Sequence, residues 1–265
     1  MSVQLKTIKT NGFSMDCLKF GRGERSLVII PGLSVQSVMG AADAVADAYS
    51  LLTHDFTVYL FDRRKDIPTP YSIRQMALDT AAAIDAAGLE RVSLFGASQG
   101  GMIAMEIAAM YPETVDSLIL GSTSAVGVNC SAADEWTALA KKGDAKALYV
   151  SFDEKVYPKS IFEQSRDMLI TAAESVTPDE LARFVTLARS ITEFDFSESL
   201  KNITCPTLVI GDTDDRIFGA APSKDIASAL VSSPRAELFI YDGYGHAAYD
   251  TAPDYKERML KFLLS

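Results

Sequence analysis

The chain has 265 residues, 48% of them hydrophobic and 23% charged, with 35 acidic side chains against 25 basic ones and a formal net charge of −10. That length lies near the size at which one hydrophobic core stops growing, and the composition excludes a disordered or fibrous chain. The acidic balance, with no basic cluster beyond Arg63-Arg64-Lys65, argues against nucleic acid and an anionic membrane surface as partners.

The amino end, "MSVQLKTIKTNGF", lacks an apolar signal core, and no apolar run approaches the roughly 18 residues needed to span a bilayer, so no membrane association is expected. Val3 to Lys9 and Phe13 to Phe20 alternate loosely about Asn11-Gly12 and predict a hairpin. The next runs, "SLVIIPG", "TVYLFD" (57–62), "RVSLFG" (91–96), "DSLILG" (116–121), "TLVIGD" (207–212) and "AELFIYDG" (236–243), are short and apolar. Strands buried on both faces of a parallel sheet read this way. Helical spacing over 38–52, 72–87, 102–110, 223–230 and 255–264 alternates with them. The class is therefore α/β, a mostly parallel central sheet with helices on both faces.

The alternation stops between residues 123 and 200, where about three helix-like pieces follow one another without a buried strand. The expected organisation is a core of residues 1–122 and 201–265, interrupted by a helical cap of residues 123–200. Cys17, Cys130 and Cys205 stand far apart with no Cys-x-x-Cys spacing, which suggests neither a disulfide framework nor a zinc site and fits a reducing cytoplasm. No phosphate loop, dinucleotide fingerprint or metal constellation is visible, so no cofactor and no metal are expected.

The densest chemical signal is "LFGASQGG". Its Gly96-Ala97-Ser98-Gln99-Gly100 follows a buried strand and opens a helix, the setting in which Gly-x-Ser-x-Gly forms a nucleophile elbow. A serine at so sharp a corner takes a strained backbone, and its neighbours two before and two after must lack side chains. The plainer reading, a glycine-rich turn, does not require that context. A hydroxyl is a weak nucleophile and needs a base oriented by a third group. Of the two histidines, His54 precedes a strand, on the side away from strand carboxyl ends, whereas His246 follows the last strand in a loop with two glycines. "VIGDTDDRIF" supplies the orienting carboxylate, with Asp214 preferred, Asp215 next, and the remaining acids, Asp212 included, solvated or capping the turn. Two N–H donors for an oxyanion are expected from Gln99, at a helix start, and from Leu33, since Pro31 has no N–H to give.

With "VIIPGLS", "LFGASQGG", "VIGDTDDRIF" and "GYGHAAYD" in this order, nearly the whole chain resembles the α/β-hydrolase family, in particular its cap-bearing serine members. The resemblance implies an α/β-hydrolase fold, with nucleophile, acid and base on Ser98, Asp214 and His246. Two stretches depart from the family pattern. Pro31-Gly32 stands where many members carry His-Gly, and "FDRRKDIPTPYS" has lost the glycines of the Asp-Arg-Gly-x-Gly-x-Ser loop, which implies another loop shape. Serine at the elbow excludes the alkyl-ester chemistry of relatives with aspartate there and suits acyl transfer. The expectation is an enzyme that cleaves a small-molecule carboxylic ester or related acyl substrate. The alternatives are carbon-carbon bond cleavage, for which Arg63, Arg64, Arg74 and Arg166 would have to furnish a basic pocket, and a non-enzymatic receptor on the same fold. Trp136, Tyr149, Phe152, Phe162, Met168 and Phe184 are the large apolar cap residues, expected to form mainly the cap's own core.

Overall fold

In the computed structural model, which describes residues 2–127 and 130–265, eight strands form one sheet in the order β1-β2-β4-β3-β5-β6-β7-β8. They are β1 (Gln4–Lys9), β2 (Ser14–Gly21), β3 (Arg25–Ile30), β4 (Phe56–Arg64), β5 (Val92–Ala97), β6 (Val115–Gly121), β7 (Thr207–Asp212) and β8 (Ala236–Tyr241). Strand β2 runs antiparallel to both its neighbours, and every pairing from β4 through β8 is parallel. The hairpin and the six further strands expected from the sequence are all present, but β8 lies at the edge of the sheet and is exposed over Ala236–Leu238 rather than buried on both faces. Parallel neighbours require crossovers, and helices α1 (Ala42–Ala48), α2 (Ile73–Ala86), α3 (Gln99–Met110), α8 (Ala221–Ala229) and α10 (Tyr255–Leu264), the last preceded by the single turn α9 (Ala248–Thr251), lie on the two faces.

The fully buried strands β5 and β7 show why their sequences do not alternate: one set of side chains joins the core under α2 and α3, the other the core under α10. Two boundaries differ from expectation. The 38–52 segment breaks into a 3-10 turn, α1 and a second 3-10 turn, because the run "AADAVADAYS" offers only a narrow apolar face. Strand β4 runs to Arg64, two residues past Asp62, and so carries Arg63 into the sheet.

Between β6 and β7 the chain forms four helices: α4 (Ser131–Lys141), α5 (Ala145–Val156), α6 (Lys159–Ala173) and α7 (Pro178–Thr192). The first helix-like piece of the sequence divides at Gly143, whose φ of 75° closes α4, while Asp144 caps α5 by accepting the Ala147 N–H. A capping box of Thr177 and Glu180 starts α7. These helices are tied to the sheet side. Gln36 donates to Glu180 at 3.2 Å and accepts from the Tyr149 hydroxyl at 2.9 Å. Arg183 meets the buried Asp62 at 3.2 Å, and the Ala247 N–H donates to the Val156 carbonyl at 3.0 Å.

Candidate active site

Ser98 stands between β5 and α3 with φ 53° and ψ −123°, a left-handed conformation that a non-glycine residue adopts only under constraint. The constraint is visible on both sides. The Ser98 N–H donates to the Gly121 carbonyl at 2.8 Å, and the Thr123 hydroxyl donates to the Ser98 carbonyl at 2.7 Å. A Cβ on Gly96 would overlap the Gly100 backbone, and one on Gly100 would overlap the Ile30 carbonyl. Both glycines are therefore required by close backbone approach, and α3 begins directly beneath the loop that follows β3.

His246 sits in the loop after β8, 2% exposed, with its ring 5.7 Å from that of Phe218. Its Nδ1 lies 2.9 Å from Asp215 Oδ2, and the two side chains are 3% and 1% exposed. Asp215, not Asp214, is thus the carboxylate that meets the imidazole. The turn after β7 explains the change of register. Asp212 is fully buried, accepts the Asp214 N–H at 2.7 Å through Oδ1 and the Tyr244 N–H at 2.9 Å through Oδ2, and so joins the acid loop to the histidine loop. Asp214 is left exposed on the outside of that turn, while the next residue points inward. Asp215 Oδ1 then accepts the N–H groups of Ile217 at 2.8 Å and Phe218 at 3.1 Å. Burial pushes the Asp215 carboxyl up, but the nearby His246 charge, its hydrogen bond and the two backbone donors prevail and hold it below the ordinary carboxylate range.

Ser98 and His246 form no direct hydrogen bond among the described residues, yet both line one cavity of about 340 Å³ between the sheet's carboxyl edge and the inserted helices. Leu33 lines it too, and Gly32 passes so close above Ser98 that a Cβ there would lie 3.2 Å from the serine Cβ. Neither the Leu33 nor the Gln99 N–H has an acceptor among the described residues, so both remain free to donate. His54 is a surface residue, its side chain 81% exposed beside Asp55.

Of the six large apolar residues singled out in the inserted helices, Trp136 and Phe152 reach the cavity, their rings 4.6 Å apart. Phe184 is fully buried behind Phe152, Tyr149 bonds Gln36, and Met168 is exposed. Among the described residues, no Lys or Arg lines the cavity. Arg64 pairs with Asp79, Arg74 with Glu106, and Arg166 is exposed on α6. The carboxylates on the wall are Asp153 and Asp250, neither of them singled out from the sequence. Phe152, Asp153 and Val156 form one stripe of α5 by their spacing, continued by Tyr157 just past its end, but only the docking of that helix shows the stripe facing inward. All three cysteines are free and buried, and burial raises the Cys130 thiol at the cavity wall, which keeps it from being a competing nucleophile.

Residues 27–255 match the model of the alpha/beta hydrolase family. The chain belongs to that family. As an alpha/beta hydrolase it is an enzyme, and its relatives are named accordingly. It is 28% identical over 254 residues to a protein of Pseudomonas savastanoi named "Putative carbamate hydrolase RutD", an alignment covering 88% of this chain and 93% of that one. In fold it is similar to an enol-lactonase of Burkholderia xenovorans (TM-score 0.83, 18% identity, 98% and 100% of the two chains). An esterase of Exiguobacterium antarcticum superposes as well (TM-score 0.82, 18% identity, 99% and 100%). Among the described residues of this alpha/beta hydrolase, no helix is long and apolar enough to cross a membrane.

Proposed function

We propose that the protein is a serine hydrolase that cleaves a small carboxylic ester or a related acyl compound, a carbamate included, through an acyl-enzyme. Ser98 attacks, His246 takes the serine proton and returns it to the leaving group, and Asp215 holds the imidazole in the tautomer that leaves Nε2 free to accept. The N–H groups of Leu33 and Gln99 receive the oxyanion, and residues 123–200 serve as the cap. The observation that carries this reading is the strained Ser98 in one cavity with an imidazole whose far nitrogen is engaged by a buried carboxylate. In chemical balance, the serine oxygen bonds the acyl carbon, the alcohol or amine leaves with the serine proton, and water then repeats the sequence to release the acid.

The cavity suits a neutral, largely apolar acyl group of small to medium size. Carbon-carbon bond hydrolysis of an anionic substrate is the weaker reading, because the arginines it needs lie away from the cavity wall. The test is hydrolysis of p-nitrophenyl acetate and butyrate by wild type and Ser98→Ala. Turnover is expected to fall by several orders of magnitude, up to about a millionfold, with the melting temperature kept. Ser98→Ala with wild-type turnover would sink the assignment.

A further inference from the structure

The geometry points to Arg63 as a positioning residue for both halves of the oxyanion-binding site, an inference that rests on the serine hydrolase reading above. Arg63 is 4% exposed near the end of β4, and it does not touch the cavity. Its Nη2 carries two N–H bonds, and each has a distinct target. One donates to the Pro31 carbonyl at 2.8 Å and the other to the Gln99 side-chain oxygen at 3.0 Å.

Those two acceptors belong to the two segments that carry the proposed donors. The Pro31 carbonyl belongs to the peptide immediately ahead of Gly32-Leu33, so fixing its plane fixes the approach of the loop to Ser98. The Gln99 side chain is held at its other end as well: its amide nitrogen donates to the Leu187 carbonyl at 2.7 Å and to the Ser190 hydroxyl at 3.1 Å, both on α7. One guanidinium therefore braces the oxyanion loop, the first residue of α3 and, through Gln99, a helix of the cap. Burial pushes the Arg63 guanidinium down to about 10, which still leaves it charged at neutral pH, and Asp62 beside it favours the charged form. Hydrogen bonds from a charged donor are stronger than neutral ones, and a planar fork holds direction better than a flexible chain.

A displacement of about 1 Å at a catalytic group can cost on the order of a hundredfold, and loss of one oxyanion donor about a hundred- to a thousandfold. The experiment compares wild type, Arg63→Met, Arg63→Lys and Ser98→Ala on p-nitrophenyl butyrate, with competent sites counted by end-point labelling with a fluorophosphonate and folding followed by thermal melts. For Arg63→Met the expected result is a turnover about 10- to 100-fold lower per labelled site, with KM within about threefold. Affinity for phenylboronic acid, whose tetrahedral adduct needs the same donors, should fall by a matching factor. Lysine keeps a charge that can reach one target, so Arg63→Lys should recover part of the loss. A folded, labelled Arg63→Met with wild-type turnover and boronate affinity, or with a change in KM alone, would overturn the inference. If that variant does not fold, Gln99→Met keeps the backbone N–H and removes the Arg63 contact together with the two to α7, so that the whole brace through Gln99 is lost. A fivefold or greater drop in turnover with a parallel loss of boronate affinity supports the brace, and unchanged values overturn it. Ser98→Ala separates the two levels: its inactivity beside a fully active Arg63→Met condemns the brace alone, whereas an active Ser98→Ala condemns the hydrolase reading and the brace with it.

Discussion

Replacing Asp215 by asparagine is the sharpest probe of the site, because Asp214 next to it supplies an internal control of equal chemistry. Asp215 Oδ2 lies 2.9 Å from His246 Nδ1 with both side chains almost fully buried. In the proposed mechanism the imidazole takes the serine proton with its charge centre about 4 Å from the carboxylate, and at an effective dielectric constant of about 20 the attraction is about 4 kcal/mol. That corresponds to about a thousandfold in rate. Asparagine also can present its amide nitrogen to Nδ1 and impose the tautomer that leaves Nε2 protonated, a change that costs about ten-thousandfold in the serine protease triad. The expected loss in kcat/KM for Asp215→Asn is thus about 10³- to 10⁴-fold. Asp214→Asn removes only the charge of an exposed side chain and should stay within about threefold of wild type. The assay is steady-state hydrolysis of p-nitrophenyl butyrate at pH 7.5, with each variant's sites counted by fluorophosphonate labelling. A larger loss in Asp214→Asn than in Asp215→Asn would refute the assignment of roles drawn from the hydrogen bonding.

Two further outcomes follow from other parts of the molecule. Burial at the cavity wall pushes the Asp153 carboxyl up to about 6, above its ordinary value, so the folded protein binds this proton more tightly than the unfolded chain does. The associated stabilisation is fully present below about pH 4 and is lost as pH rises through about 6. Asp153→Asn should therefore raise the melting temperature at pH 7, with a gain of about 1 to 2 kcal/mol once partial solvent exposure is allowed for, and this advantage should shrink toward pH 4. Melts across pH 4 to 8 that show a pH-independent difference would contradict it. Gly100→Ala should lower the melting temperature by more than about 5 °C although alanine favours helix, because the new methyl overlaps the Ile30 and Pro31 carbonyls. Gly88→Ala, at φ 75° with open space around it, should cost only about 1 kcal/mol, and equal losses at the two positions would refute the steric account.

The relation between sequence and site can be stated residue by residue. The strand-to-helix corner at Ser98 was legible because local backbone sterics dictate its spelling: two glycines flank the serine wherever the chain turns so tightly. The parallel sheet was legible for a similar reason, since strands covered on both faces must be apolar throughout. Asp215 was not preferred over Asp214 because both are aspartates one position apart, and the choice depends on how Asp212 anchors the turn, a contact that reaches forward to Tyr244 in another loop. The α5 stripe with Asp153 and the brace through Arg63 were illegible for the same kind of reason. Their partners lie 30 or more residues away, as between Arg63 and Pro31 or Gln99, and docking of whole elements sets their meaning.

By itself the sequence determined the α/β class, the elbow and the histidine loop, features governed by backbone conformation and burial within a few residues of chain. Only the tertiary structure decided which carboxylate faces the imidazole, which helix stripe walls the cavity and where the arginines point. Long-range contacts select among chemically identical neighbours, and no local pattern of residues records that selection.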